Sequence, residues 1–346
     1  MAEIKNRNQE YWNKRFEEIS ERNAKIGDMS EKDLVKLYRD TFNEMDNEVQ
    51  SFYSKYGRIQ SSPTFKVLPD GTKVMTGTSS KLVVPVNEAN KALSKGTRLS
   101  KLQQQLSAIL FKMSKEQKDI MDIALINTAT GMYYDTIYEI QKGVGVGTSF
   151  NLLTEPQVES LIRNEVNGQS FSTRVWNNRS KLENTVNQTL KAGITQGLSN
   201  GQMAKRIKEN MNTGSYVANR LLRTEVTNTY NQASLLGYDR SGIVTQYQYI
   251  ATLDNRTSDV CTDLDGQVFK TEEATTGLNF PPMHVNCRST TSAYLGERTA
   301  QTRIARDLET KNTYIVPADM NAKNWRAIYV DKTMTRKQWD KGKRAK

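Results

Sequence analysis

Both cysteines of the chain, Cys261 and Cys287, and its only histidine, His284, fall inside one stretch, DNRTSDVCTDLDGQVFKTEEATTGLNFPPMHVNCRST, running from Asp254 to Thr290. Thiolate and imidazole together suit zinc, and the spacing His284-x2-Cys287 lets a single turn present both side chains to one ion. Cys261 arrives from a second loop. Three clear ligands are what a catalytic zinc uses, with water or a carboxylate from Asp254, Asp259, Asp263 or Asp265 completing the set, whereas closed structural sites show four Cys or His. The same residues allow two other outcomes. One is a Cys261–Cys287 disulfide, which a reducing cytosol disfavours. The other is a pair of small buried apolar thiols in a loop-rich subdomain held by hydrogen bonds.

The neighbours of these ligands are structural in type. Asp265-Gly266 makes a turn before a short strand at Gln267–Lys270, and Pro281-Pro282 fixes an extended backbone leading into His284. Arg256 and Arg288 are each able to fork onto a nearby aspartate and tie the two loops together. Arg223 and Glu225, just upstream, reach the same loops as an ion pair or as capping groups.

Helices must carry this segment. Leu34, Tyr38, Met45, Val49, Phe52 and Tyr56 recur at helical spacing, with Ser30 as the expected N-cap and Gly57 as the stop. Pro-Asp-Gly at 69–71 between short β-prone runs predicts a hairpin or an exposed loop. Helical periodicity returns from about 87 to 141 through Leu102, Leu106, Ile109, Met113, Ile120, Ile123 and Ile126. It breaks at KGVGVGTS, which lacks the Gly-Lys-Ser/Thr ending of a phosphate loop and is read as a connection. Further helices are expected at 158–167, 180–195, 201–211 (with Ser199 or Asn200 as cap) and 216–239, then a strand through Val244, Tyr247, Tyr249 and Ala251.

The bulk composition fits elongated helices better than one large core. Apolar residues make up 36% of the 346 and mean hydropathy is -0.68. A formal charge of +11 makes polyanions natural partners. No signal peptide is visible at the N-terminus, no apolar run approaches the roughly 18 residues of a membrane span, and a reducing compartment is expected. The closing stretch KTMTRKQWDKGKRAK reads as a mobile basic tail.

The run LLRTEVTNTYNQASLLGYDRSGIVTQYQYIATLDNRTSDVCTDLDGQVF…FPPMHVNCRST resembles the head morphogenesis domain of tailed-phage minor head proteins, the phage Mu F-like family. The match runs from about Thr185 to Leu295. It is carried by Arg223-Thr224-Glu225, Asn231, Gly237, Asp254, Arg256-Thr257, Cys261, Asp265-Gly266, Pro281-Pro282, His284, Cys287 and Arg288. Loops of that family often read Arg-Thr-Cys-x2-Cys and His-Pro-x-Cys-Arg-Cys; here Ser258, Val285 and Ser289 stand in place of a cysteine, the proline and a cysteine. The periodicity along the chain leads to a mostly helical α+β fold, with an extended N-terminal helical region and a C-terminal helical domain ending in a small loop-rich β subdomain. The expected segments are 1–60 (helical), 61–86 (hairpin or loop insertion), 87–150 (helical, with the Gly-rich connection), 151–296 (head morphogenesis domain) and 297–346 (extension with basic tail).

The resemblance implies a low-copy protein inside the phage head, present in the host cytoplasm during assembly. Its partners would be the portal protein, the capsid and scaffolding proteins of the procapsid, and double-stranded DNA, which it would accompany or protect at ejection. In that reading Arg223, Glu225, Asp254, Arg256, Thr257, Asp265, Gly266, Pro282 and Arg288 are structural. Cys261, His284 and Cys287 are the candidate metal ligands, zinc being the one cofactor they suit. Lys332, Arg336, Lys337, Lys341, Lys343, Arg344 and Lys346 would meet DNA phosphates without base readout. No constellation demands catalysis. The rival readings are a metal-dependent nuclease using Glu225, Asp254, Asp263 and His284, and an ADP-ribosyltransferase, since Arg223-Thr224-Glu225 is superficially similar to an Arg-Ser/Thr-Glu motif.

Overall fold

The computed structural model describes residues 9–67, 73–83, 97–144, 150–166, 168–296, 302–306, 313–317 and 320–344. The Pro-Asp-Gly turn, the glycine-rich connection at 145–149, the expected helix start at 87–96 and Lys346 lie outside them. Eight α-helices are described: α1 (Gln9–Tyr56), α2 (Thr97–Val144), α3 (Glu155–Ile162), α4 (Phe171–Thr195), α5 (Asn200–Ser241), α6 (Asp259–Leu264), α7 (Ala322–Tyr329) and α8 (Arg336–Arg344). The strands are β1 (Arg58–Val67), β2 (Lys73–Val83), β3 (Gln246–Ile250), β4 (Val268–Lys270), β5 (Thr290–Tyr294), β6 (Thr302–Arg306) and β7 (Thr313–Pro317). All pairings are antiparallel: β1 with β2, β6 with β7, and a three-stranded sheet in the order β4-β3-β5. The fold is mostly helical α+β, as expected.

Two compact units emerge, and neither is a single stretch of chain. One gathers 1–30, 121–171 and 220–346; the other gathers 31–120 and 172–219. In the second unit the stripe of α1 is buried at Leu34, Tyr38, Met45, Val49 and Phe52, and Leu102, Leu106 and Met113 of α2 are buried too. Tyr38 donates its hydroxyl to Gln117 Oε1 at 3.0 Å, and burial pushes that phenol well up. β1 and β2 form a ribbon with a bulge between Thr64 and Phe65.

Several helices run longer than their sequence signals imply. No cap interrupts α1 at Ser30, because a second apolar stripe (Trp12, Phe16, Ile19) is buried upstream and propagation across the junction costs less than a new nucleus. The break expected between helices at 201–211 and 216–239 does not occur, and α5 runs straight through Gly214. A Cβ at Gly214 would stand 2.9 Å from Tyr38 and 3.1 Å from Leu182, so this glycine permits close helix approach rather than a turn. At the other end Ser199 does cap α5, its hydroxyl accepting from Gln202 N while Gln202 Oε1 accepts from Ser199 N at 2.9 Å. In α2 the buried stripe continues through Met121, Leu125 and Met132, leaving Ile123 and Ile126 exposed. Those isoleucines sit on the other side of the helix from the row begun by Leu102.

In the first unit Phe16 stacks edge-on against Tyr238, with ring centroids 5.4 Å apart. Gly237 faces Thr136 so closely that a Cβ would meet it at 2.6 Å. The closing basic stretch is not a loose tail. It forms α8, whose Trp339 is buried with Trp325, Met320, Tyr249, Cys261 and Cys287 in one apolar cluster. The apolar tryptophan within the charge run supplies the burial that a wholly basic segment lacks.

Candidate functional site

The polar inner face of α5 builds the platform. Thr224, Glu225, Asn228, Thr229, Asn231 and Ser234 are all buried, on a helix face where apolar residues would be usual. Their hydrogen bonds include a series to the backbone of the loop entering β5. Thr224 Oγ1 accepts from Asn286 N (3.1 Å), Thr227 Oγ1 donates to the Cys287 carbonyl (3.0 Å), and Tyr230 OH and Asn231 Nδ2 both donate to the Ser289 carbonyl (2.8 and 3.3 Å). Buried carbonyls need partners, and this helix provides them one after another. Burial pushes the Tyr230 phenol up to about 12, so it remains a donor at any ordinary pH.

A carboxylate knot holds the neighbouring loop. Asp254 is fully enclosed and takes both guanidinium ends of Arg288: Nη2 to Oδ1 at 2.6 Å and a shorter contact from Nη1 to Oδ2. Arg256 N (2.9 Å) and Thr257 Oγ1 (3.2 Å) also donate to Oδ1. Burial alone raises an aspartate, but the bonds and charge of Arg288 with the Arg256 amide outweigh it and hold Asp254 below the ordinary carboxylate range. Arg288 is therefore the arginine that forks onto Asp254; the Arg256 side chain stands 3.8 Å away and mostly in solvent. Asp265 acts as a second tie. Its Oδ1 accepts from Ala251 N just past the end of β3 (2.8 Å) and its Oδ2 from Ala322 N at the start of α7 (2.7 Å). Gly266, at φ +82°, makes the turn that a side chain would strain. Pro282 is buried near Phe280 in sequence, and the Pro281–Pro282 bond is cis.

Between these ties lies the thiol–imidazole cluster. Cys261 sits in the first turn of α6, capped by Ser258. Its Sγ lies 3.8 Å from Cys287 Sγ and 3.4 Å from His284 Nε2; the ligand atoms of all three residues lie within 4.8 Å of one another. The cysteines are free and almost wholly buried, while His284 is half-buried. His284 Nδ1 lies 2.9 Å from the Val285 carbonyl, which only accepts, so Nδ1 is the donor there and Nε2 is the ring nitrogen that faces the cluster. Ser258 Oγ is 2.8 Å from that Nε2, and Tyr249 OH donates to Cys261 Sγ at 3.3 Å. The Cys287 thiol hydrogen-bonds to Cys261, holding the Cys261 thiol down and raising that of Cys287, which burial raises further. A cleft of ≈ 20 Å³, lined in part by Ser258, Ser289 and Arg256, opens onto the cluster and has room for about one water.

The three candidate metal ligands thus come together, and among the described residues no other three His, Cys, Asp or Glu side chains do. The set Glu225, Asp254, Asp263 and His284 is not assembled. Glu225 is enclosed on α5, Asp254 is taken by Arg288 and Asp263 is exposed. Of the basic residues, Arg336 pairs with Asp340 on its own helix at 3.3 Å and stacks on Trp339, whereas Lys332, Lys337 and Lys341 are exposed. Lys343 and Arg344 lie in the last turn of α8. Spacing alone did not reveal Tyr249 as a partner of the thiols, nor the hydrogen-bonding role of the α5 threonines. The run TEVTNTYNQAS, polar at positions where a helix should be apolar, was the available signal.

Residues 184–292 match the model of the family described as Phage Mu protein F like protein. Among curated proteins, the NAD(+)--arginine ADP-ribosyltransferase EFV of Enterococcus faecalis is 25% identical over 275 residues, covering 75% of this chain and 53% of that protein. The chain spans about half the length of this relative. No solved structure matches.

Proposed function

We propose that this chain, whose residues 184–292 form a phage Mu F-like domain, is a minor head protein of a tailed bacteriophage that joins the portal and procapsid during head assembly. The family match is the observation that carries this reading. The motif residues support it by what they are occupied with: Thr224, Asn231, Asp254, Asp265 and Arg288 are committed to hydrogen bonds that shape the subdomain, which suits an assembly module. The net charge of +11 and the exposed Lys332, Lys337 and Lys341 favour packaged DNA as a further, non-specific partner. Its place would be inside the head.

The test is to purify heads of the phage or induced prophage that encodes the chain and quantify it by mass spectrometry, with and without a deletion of its gene. A few copies per head in the wild type, with defective heads in the deletion, are expected. Full infectivity of the deletion together with wild-type heads free of the chain would refute the proposal.

The relative named as an ADP-ribosyltransferase favours a second reading, an enzyme. About half of that protein lies outside the region shared with this chain, leaving room there for the activity in its name. Glu225, the acidic residue of the Arg-Thr-Glu run here, is 1% exposed on a packed helix, a poor position for reaching a dinucleotide. Incubation with labelled NAD+ and an arginine acceptor should leave the acceptor unlabelled. Labelling that a Glu225→Gln variant abolishes would establish the enzyme instead.

A further inference from the structure

We propose that Cys261, His284 and Cys287 bind one zinc ion as a clasp between α6 and the loop entering β5, with the fourth coordination position open to the polar cleft beside Ser258. The distances carry the argument. A tetrahedral site with Zn–S of about 2.3 Å and Zn–N of about 2.0 Å has S···S edges of about 3.8 Å and S···N edges of about 3.5 Å. The chain holds two of these three edges, its sulfurs 3.8 Å apart and Cys261 Sγ 3.4 Å from His284 Nε2, and all three ligand atoms lie within 4.8 Å of one another, so the ion draws His284 and Cys287 together along the third. A disulfide would require the sulfurs to close to about 2.05 Å.

The surrounding groups fit the same ion. The histidine that ligates a metal usually donates its other ring N–H to a carbonyl or carboxylate, which fixes the tautomer; His284 Nδ1 does so with Val285 O. Two thiolates and a divalent cation sum to zero charge, which is what a buried site tolerates. Soft sulfur with imidazole selects zinc over magnesium or calcium. The cleft of ≈ 20 Å³ accommodates one water as fourth ligand. Binding is an exchange without redox: two S–H bonds break, two Zn–S bonds form, and two protons leave to solvent.

Cobalt(II) is the probe, titrated into the full chain after reduction and chelation. Expected are thiolate-to-cobalt charge-transfer and tetrahedral ligand-field bands that saturate at one ion per chain, vanish on adding zinc, and appear together with protection of both thiols from a thiol reagent. Ser258→Cys places a third sulfur at the open position and should raise the charge-transfer intensity by about 1.5-fold, in proportion to thiolate number. This variant removes no ligand, and because Ser258 also caps α6 its circular dichroism is matched to wild type before the bands are read. Two reactive thiols with no cobalt bands would overturn the proposal. So would a Cys261–Cys287 disulfide in the chain as purified under non-reducing conditions, with no metal uptake after reduction. An unchanged band in Ser258→Cys would overturn the placing of the fourth position.

Discussion

Asp254→Ala should release the loop that leads into Cys261 of the thiol–imidazole cluster. The carboxylate is enclosed, receives both ends of Arg288, and accepts from the Arg256 amide and the Thr257 hydroxyl. Removing one partner of a fully buried ion pair costs about 3–5 kcal/mol. The Arg288 side chain keeps 36% of its surface in water, which lowers the ionic part to about 2–3 kcal/mol. The Arg256 amide, left without its acceptor, adds about 1 kcal/mol, while the Thr257 hydroxyl keeps the Thr252 carbonyl. The sum, about 3 kcal/mol, corresponds to a local opening about 10²-fold more frequent.

Hydrogen exchange resolved to peptides covering 250–294 is the assay. It reads opening of this subdomain without assuming that the two units unfold together. Protection there should fall by about that factor, while peptides of the other unit stay unchanged. Adding Arg288→Ala should restore part of the loss, because no lone guanidinium remains; a coupling of about 1–3 kcal/mol is expected. The pH dependence has a definite sign. The folded carboxyl lies below its unfolded value of about 3.9, so its stabilisation is complete above that value and is lost as pH falls through the folded one. Asp254→Asn should remove that acid-side loss. Protection within threefold of wild type in Asp254→Ala, or strictly additive losses in the double variant, would refute the reasoning.

Gly237→Ala should destabilise the first unit by about 1–3 kcal/mol in denaturant melts despite alanine's better helix propensity, since its Cβ would meet Thr136 at 2.6 Å. Trp339→Ala should cost about 3–5 kcal/mol and speed modification of Cys261 and Cys287, because the indole shares their apolar cluster; unchanged thiol reactivity would contradict that packing. Lys337→Glu with Lys341→Glu should flatten the dependence of log K on log salt for duplex DNA by about 2, as two phosphate contacts are lost, without altering thermal stability. An unaltered slope would remove α8 from the DNA-binding surface.

Much of this site was legible because its chemistry is confined in sequence. Cys261, His284 and Cys287 lie on two short segments, and Asp265-Gly266 and Ser199 carry local signals that the structure uses as turn and cap. What escaped the sequence depends on contacts made at a distance. Gly214 looks like a breaker until Tyr38 and Leu182 are seen against it. Asp254 had two arginines within reach, and only three dimensions choose Arg288 over Arg256. The basic stretch at the end reads as solvated until Trp339 finds Trp325 and the cysteines. The ribbon of β1 and β2 was announced by Pro-Asp-Gly, whereas its register and bulge were not.

The first unit joins residues that are made far apart in time. The Gln9 amide donates to the Ala293 carbonyl at 3.0 Å, and Asn13 donates to Gln248 at 3.0 Å. On a ribosome adding about 5–20 residues per second, the early helix therefore waits many seconds for the strands that complete its surroundings. Contacts of such separation slow folding, since loop closure precedes any gain from them. A chain whose synthesis stops short of β5 leaves the Gln9 amide without the Ala293 carbonyl and β3 without its longer partner strand. Only a copy translated as far as Trp339 completes the apolar cluster around the cysteines, so the first unit closes at the very end of synthesis.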